Sequence, residues 1–564
     1  MVPVFLFTLS ALGGGGPANV LVLANAEDPS ALDLADHYAT QRALPPGALC
    51  EVSNIDAASD SIDLEAYRTD VLGALNACLD AHPQQEEIDY IVVLRGLPYR
   101  VDLPTGFTVS LSAMLQISNT THISTGEALA GQPISTWGGV QQASFANPWY
   151  VGSSSTEAFD LSNPYMAHYS TAVTIAGTDR QPHAPRRQDA PLSYQWQYTD
   201  NLFVVSRLDG FDYADARALV DRGVASDGTF PDAPITCMAA ADSARGARDP
   251  ECAYAIDLLA DAGLSAQYID IHDATLSDEH LAGFMTGTTS FEGGIDGNTW
   301  VPGAFAGNLT SYGAVPGNFR CSEDGRCPAS ESQTSIARFV RGGATFAHGT
   351  ANEPLNNTFP GAGLFLLATM GYGPIEAALM TQRYLYWQNI YLGDPLAAPW
   401  AERPVVAVDP DAPVNQPLSI TATHPAGIAE VRLYVDGVRV DERAPLADSL
   451  GLEEGDEIEV LAVAVAENAR AHRAGWPQPE QQPRPDIQGW TAQRLVLAAP
   501  AEGATSADTG HLDGSDEYVP PKLRDADHTS CATTGRRRLP LLLCGLTLIL
   551  LAHRRRSHPL ASHP

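Results

Sequence analysis

Residues 19–52 read "NVLVLANAEDPSALDLADHYATQRALPPGALCEV". "NVLVLAN" is a short apolar run bounded by polar residues, the pattern of a buried strand. Asp28 and Pro29 follow as helix N-cap and first helical residue. Leu32, Ala35 and Ala39 recur at helical spacing, and the helix must stop before "LPPG". "ALCEVSN" then reads as a second strand. The alternation continues outward. Residues 63–82, "DLEAYRTDVLGALNACLDAH", form an amphipathic helix with Leu72, Leu75 and Leu79 on one face. Residues 89–102, "DYIVVLRGLPYRVD", are apolar on both faces, as the central strand of a parallel sheet is. The pattern predicts an α/β sheet flanked by helices.

Residues 103–195 interrupt this rhythm with Ser, Thr, Gly and Asn, so a loop-rich excursion is expected there. Alternation resumes with "NLFVVSRLDG" at 201–210 and "DYADARALVDRGVAS" at 212–226. It runs through 235–274 and 335–350 and closes with a helical block, "GPIEAALMTQRYLYWQNIYLGDPL", at 373–396. The α/β domain therefore spans 17–402. Residues 403–498 change to short alternating strands. Val431, Leu433 and Val435 alternate with Arg432 and Tyr434, and Asp436-Gly437 is a strong two-residue hairpin signal. A small immunoglobulin-like β-sandwich is expected here. Residues 499–530 hold little apolar content and read as a disordered acidic linker.

The chain of 564 residues carries a net charge of −34, and Lys522 is its lone lysine. So acidic a surface repels phosphate backbones and argues against nucleic-acid binding. An apolar stretch from Val2 to Leu12, followed by small residues, resembles a secretory signal over 1–16. Six cysteines fall as sequence neighbours: Cys50 with Cys78, Cys237 with Cys252, Cys321 with Cys327. In an exported chain they suggest disulfides, their connectivity read from proximity alone. No CxxC argues for a metal site, and no cofactor is expected. At the far end Cys531 precedes an apolar run from Leu539 to Ala552 and then Arg554–Arg556. This order resembles the sorting tails of myxobacterial surface proteins, apart from an extra "RRR" at 536–538. It implies a processed membrane tail over 531–564 and a cell-surface address.

The opening blocks, with Arg95-Gly96-Leu97-Pro98 after the third strand, resemble a family of exported bacterial proteins. "PGAFAGNLTSYGA" (302–314), "GGATFAHGTANEP" (342–354) and "LYWQNIYLGDPLAAPW" (385–400) fit it too. More distantly the blocks resemble the gingipain-like branch of caspase-fold cysteine peptidases, with Gly393-Asp394-Pro395 as the closing element. That resemblance implies a histidine and a cysteine at successive strand ends. The expected histidine stretch reads "FMTGTTSFEGG", and Ser311 stands where the cysteine would be. His280 and Cys321 have the right order, but His280 lies in a helix-like "SDEHLAGF" and Cys321 has Cys327 to pair with.

The expected dyad is therefore absent, and binding of a protein or glycan partner is the first reading. The alternative is a hydrolase built around Ser311, His348 and Glu353. His348 sits at a strand's carboxyl end, where open α/β sheets place ligand sites. With Glu353 it makes either an acid–base pair or a plain turn. Arg95 is either an anion clamp in the same crevice or the partner of Asp102 or Asp394 in an ion pair. Asp394 is a second binding candidate, or a turn former before Pro395.

Overall fold

The computed structural model describes residues 15–118, 135–137, 140–142, 203–466 and 487–501, save positions 105, 274, 278, 329–332, 355, 383, 384 and 386. The leader through residue 14, most of the 103–195 excursion, the linker beyond 501, Cys531 and the tail lie outside the described residues.

Ten strands form the central sheet. In chain order they are β1 Val20–Asn25, β2 Leu49–Val52, β3 Tyr90–Leu94, β4 Val204–Leu208, β5 Ile235–Met238, β6 Ala266–Ile269, β7 His280–Thr286, β8 Thr299–Asn308, β9 Phe346–Thr350 and β10 Asn389–Leu392. Their spatial order is β6-β5-β7-β8-β9-β10-β4-β3-β1-β2. The ladders β2-β1-β3-β4 and β6-β5-β7-β8-β9 are parallel throughout. β10 lies between these two wound halves. It is antiparallel to β9 and joins β4 through one bridge, Leu392 with Arg207. The order reverses between β1 and β3, and again between β5 and β7. A crevice forms at the carboxyl ends wherever such a reversal occurs.

The local signals explain these elements. Every residue of β1 and β3 is buried, as an apolar run covered on both faces requires. Helix α1 (Pro29–Arg42) starts where Asp28 accepts the Ser30 N–H, with Pro29 at its first position, and ends at Ala43 in the left-handed region. Helix α2 (Gly73–Ala81) continues the second helical segment. Cys78 on α2 is disulfide-bonded to Cys50 on β2.

Two expectations need correction. "SDEHLAGF" is not helical, because His280 opens β7, whose remaining residues are buried. Among the described residues of the block 373–396 only Pro374–Met380 is helical, and Asn389–Leu392 is the reversed strand β10. Both are short apolar runs, which periodicity alone cannot assign to helix or strand.

Beyond Trp400 the described residues are mainly β, with one short helix at Leu446–Leu450. Strands β11 (Val405–Val408) and β12 (Ile420–Thr423) pair with each other. β13 (Ile428–Val435), β14 (Val438–Val440), β15 (Glu457–Ala466) and β16 (Gln488–Val496) form a four-stranded antiparallel sheet. Asp436 and Gly437 both have positive φ, 49° and 80°, as the two-residue turn between β13 and β14 demands. Val408, Leu433, Val460 and Leu495 share one core cluster across the two sheets. Among the described residues these are six strands, short of the seven in an immunoglobulin constant-type sandwich.

This β-rich part packs firmly on the α/β part. Tyr434 donates to Glu87, and Arg439 pairs with Glu87 at 2.6 Å. A Cβ on Gly437 would lie 2.7 Å from the Pro46 carbonyl oxygen, so the hairpin tip touches the "LPPG" turn directly.

Candidate functional site

The loops that follow β1, β2, β3, β4 and β8 meet at the carboxyl ends of the strands. Phe319, in the loop beyond β8, stacks on Tyr99 beyond β3 with ring centroids 4.6 Å apart. This stack forms part of the wall of a cavity of about 330 Å³ at the β1/β3 reversal. Its lining includes Asp28, Asp60, Arg95, Tyr99, Tyr213 and Arg320.

Arg95 follows β3 directly. One of its terminal nitrogens donates to Asp209 at 2.8 Å and to the Gly210 carbonyl at 2.6 Å. Asp209 is completely buried and also accepts from the buried Arg207 at 3.0 Å. Arg207 in turn donates to the carbonyls of Leu97 and Pro98 and lies over the Tyr99 ring. Two guanidinium groups thus share one carboxylate at the strand ends. Burial, the largest single influence, lowers the Arg95 pKa, but Asp209 with Tyr99 and Tyr213 together raise it, so Arg95 stays charged. Its side chain keeps 22% exposure, toward the crevice. The expected partners, Asp102 and Asp394, are not the ones it finds. Asp102 accepts from Ser61, and Asp394 is held elsewhere.

Gly96 explains how the wall closes. Its φ is +97°, and a Cβ there would lie 3.0 Å from both Asp28 Oδ2 and the Tyr213 hydroxyl oxygen. Tyr213 opens helix α3 (Tyr213–Ser226). It donates to Asp28 at 2.5 Å, and burial followed by this hydrogen bond raises its pKa. On the outer rim Arg320 is exposed and pairs with Asp60 at 2.6 Å. The crevice is therefore lined by two guanidiniums, two carboxylates and three aromatic rings, of which Tyr99 and Phe319 are buried against each other.

The second cluster lies beside β9. Ser311 donates to Glu353 at 2.9 Å, and Tyr312 also hydrogen-bonds that carboxylate. His348, on β9, is 1% exposed. It hydrogen-bonds the Asn389 side-chain oxygen at 2.8 Å through Nε2, so Nε2 carries the proton. The ring is packed against Phe359 and Tyr391, at 5.2 and 4.8 Å between centroids. Its Nδ1 is buried with no protein partner. Burial lowers its pKa to about 3. Among the described residues His348 makes no hydrogen bond to Ser311 or Glu353. A buried base packed between Phe359 and Tyr391, with no hydrogen bond to the hydroxyl, is not placed to take its proton.

Asp394 also leaves the crevice. It is fully buried and accepts from Tyr38 at 2.8 Å and from Arg42 at 2.5 Å. Arg42 lies at the far end of α1 and also reaches Asp227 at 2.5 Å. Asp394 is thus a clamp between α1 and the chain beyond β10.

The cysteine expectations divide. Cys50–Cys78 and Cys321–Cys327 are bonded, with Cα atoms 5.8 and 4.3 Å apart. Cys237 and Cys252 are buried free thiols. They meet side by side where helix α4 (Asp249–Asp261) packs on β5, and burial followed by the contact with Cys252 pushes the Cys237 thiol well up. Proximity places them together, but they remain thiols. Among the described residues no cluster suited to a metal ion occurs, and no helix is long and apolar enough to cross a membrane.

Neither a family model nor a curated protein matches the chain. A solved structure described as "Structure of Protease" matches at 10% identity and a TM-score of 0.40, covering 86% of this chain and 98% of that one. So slight a likeness decides neither fold nor activity.

Sequence reasoning placed Arg95 but missed Asp209, Arg207, Tyr213, Asp28 and Arg320 as its surroundings. The one usable signal was "SRLDG", in which Arg207 and Asp209 are charged residues ending an apolar strand.

Proposed function

We propose that this is an exported surface protein whose α/β domain, a degenerate peptidase-type fold, binds a polar ligand without chemical change. In this reading the β-rich part is an immunoglobulin-like module that holds the domain away from the envelope, and the C-terminal tail attaches it there. The observation that carries the reading is the separation of the two clusters. The histidine is enclosed and neutral, while the crevice with Arg95, Arg320, Asp28 and Tyr213 is open. The mixture of charges and aromatic faces suits a glycan or a peptide of mixed charge better than an apolar ligand.

The test is a peptide and oligosaccharide binding screen with wild type and Arg320→Ala. Arg320 is exposed, so its loss should spare the fold and weaken binding at least tenfold. Equal retention by both proteins rejects the crevice.

A hydrolase reading rests on the Ser311–Glu353 hydrogen bond, which supplies a hydroxyl and an acceptor without a histidine. It requires ester or peptide turnover that disappears in Ser311→Ala and persists in His348→Gln. The binding reading expects no turnover from any of the three proteins.

A further inference from the structure

We propose that Cys321–Cys327 is a thiol-exchange site, which a small thiol or dithiol opens at Cys321 while Cys327 leaves beside the Arg341 guanidinium. The inference goes beyond ligand binding in the crevice and does not depend on it.

The two disulfides differ in ways that matter for exchange. Cys321 is exposed and Cys327 half-buried, whereas Cys50 is fully buried and Cys78 half-buried. Cys321 and Cys327 are 6 residues apart, against 28 for Cys50 and Cys78. The shorter closure removes less entropy from the unfolded chain, so it holds the fold less. Its loop also closes without the bond. The Ser322 N–H donates to the Arg326 carbonyl at 2.9 Å, and the Gly325 N–H donates to the Ser322 carbonyl at 2.9 Å. These bonds keep the two cysteines together for re-closure.

Arg341 supplies the chemistry. It lies on helix α5 (Ile336–Gly342), and its Nη1 donates to Cys327 Sγ at 3.2 Å and lies 3.9 Å from Cys321 Sγ. Its other nitrogens are engaged. Nε donates to Asp215 at 3.1 Å, and Nη2 donates to Asp212 at 2.5 Å. The Phe211 ring lies against the guanidinium, 4.7 Å from Cζ. The two carboxylates offset part of the charge, but with the ring they fix the guanidinium plane and aim Nη1 at the sulfurs. A neighbouring cation favours a thiolate over a thiol, and the sulfur of lower thiol pKa leaves faster.

Attack by an external thiolate therefore falls on the exposed Cys321 Sγ. The electron pair of the S–S bond passes to Cys327 Sγ, whose thiolate Arg341 holds. The product is a mixed disulfide between the external thiol and Cys321. If the attacker is a dithiol, its second thiolate attacks its own sulfur in that bond and releases Cys321 as a thiolate. The protein gains two electrons and two protons, and the dithiol loses both as it closes its own disulfide. Arg320 directly precedes Cys321 and pairs with Asp60 on the crevice rim, so the loop opens where it joins the crevice wall.

The experiment treats the full chain with dithiothreitol or with glutathione, traps thiols by alkylation at timed points, and maps the peptides. Dithiothreitol should open Cys321–Cys327 at least roughly tenfold faster than Cys50–Cys78. Brief exposure to glutathione should leave its adduct on Cys321, with Cys327 alkylated. Arg341→Ala should slow the opening by about threefold or more, and Arg341→Lys should restore part of the rate. Equal rates for the two bonds, an adduct chiefly on Cys327, or opening in Arg341→Ala as fast as in wild type each overturn the proposal. The first two readouts use the wild type alone, so they decide even if the variants fold poorly.

Discussion

His348 shows how burial decides whether a titratable group does chemistry. Its pKa is lowered to about 3 by desolvation, whereas an unfolded histidine titrates near 6.5. The unfolded chain therefore binds more protons between these values. The stabilisation from keeping His348 neutral is fully present above about pH 6.5 and is lost as pH falls toward 3, at up to about 1.4 kcal/mol per pH unit. Urea unfolding from pH 7 to pH 4 should show this slope, and His348→Gln should reduce it by about one proton. An unchanged slope would mean that the imidazole is hydrated in the native protein. Asp394 makes the complementary case. It shares Arg42 with Asp227 and is itself fully buried. Asp394→Ala leaves Arg42 half-paired in the core and should cost about 3–5 kcal/mol in chemical denaturation. A cost under 1 kcal/mol would contradict the clamp.

Among the elements, the disulfide between β2 and α2 closes a segment of 28 residues. Cys50→Ala together with Cys78→Ala should cost about 3 kcal/mol. Alkylation mapping should find Cys237 and Cys252 unmodified in the folded protein and modified after unfolding without reductant. If they stay unreactive until reductant is added, they are bonded after all. The first strand–helix–strand unit was legible because its signals are local: Asp28 caps, Pro29 starts and Leu32, Ala35 and Ala39 repeat. The Asp436-Gly437 turn was legible for the same reason. β7 and β10 were not, since "EHLAGFM" and "QNIYLG" are apolar runs too short to show a period. The crevice was legible only at Arg95. Asp28, Asp209 with Tyr213, and Arg320 reach it from three places in the chain, and the strand order that unites them is a long-range property. Spacing brought Cys237 and Cys252 together correctly, yet adjacency in sequence says nothing of whether two buried sulfurs bond.

In the whole molecule, the described residues, 15 to 501, belong to one compact unit. Tyr434 and Arg439 anchor to Glu87, Arg403 lies over Trp490, and Gln488 packs against Gly16. Calorimetry should therefore show the α/β and β-rich parts melting in one transition. Glu87→Ala, which removes the partner of Tyr434 and leaves Arg439 with Glu430 alone, should lower stability by about 1–3 kcal/mol. Two well-separated transitions in the wild type would contradict this coupling. The same architecture sets the open crevice at the β1/β3 reversal and encloses His348 beside β10, so binding without turnover is the central claim. It is tested most directly by incubating the protein with a mixed peptide and oligosaccharide library and weighing each component by mass spectrometry before and after capture. The account predicts capture of polar ligands with unchanged masses, weakened at least tenfold by Arg320→Ala. Cleaved products that vanish in Ser311→Ala, or capture indifferent to Arg320, would contradict it.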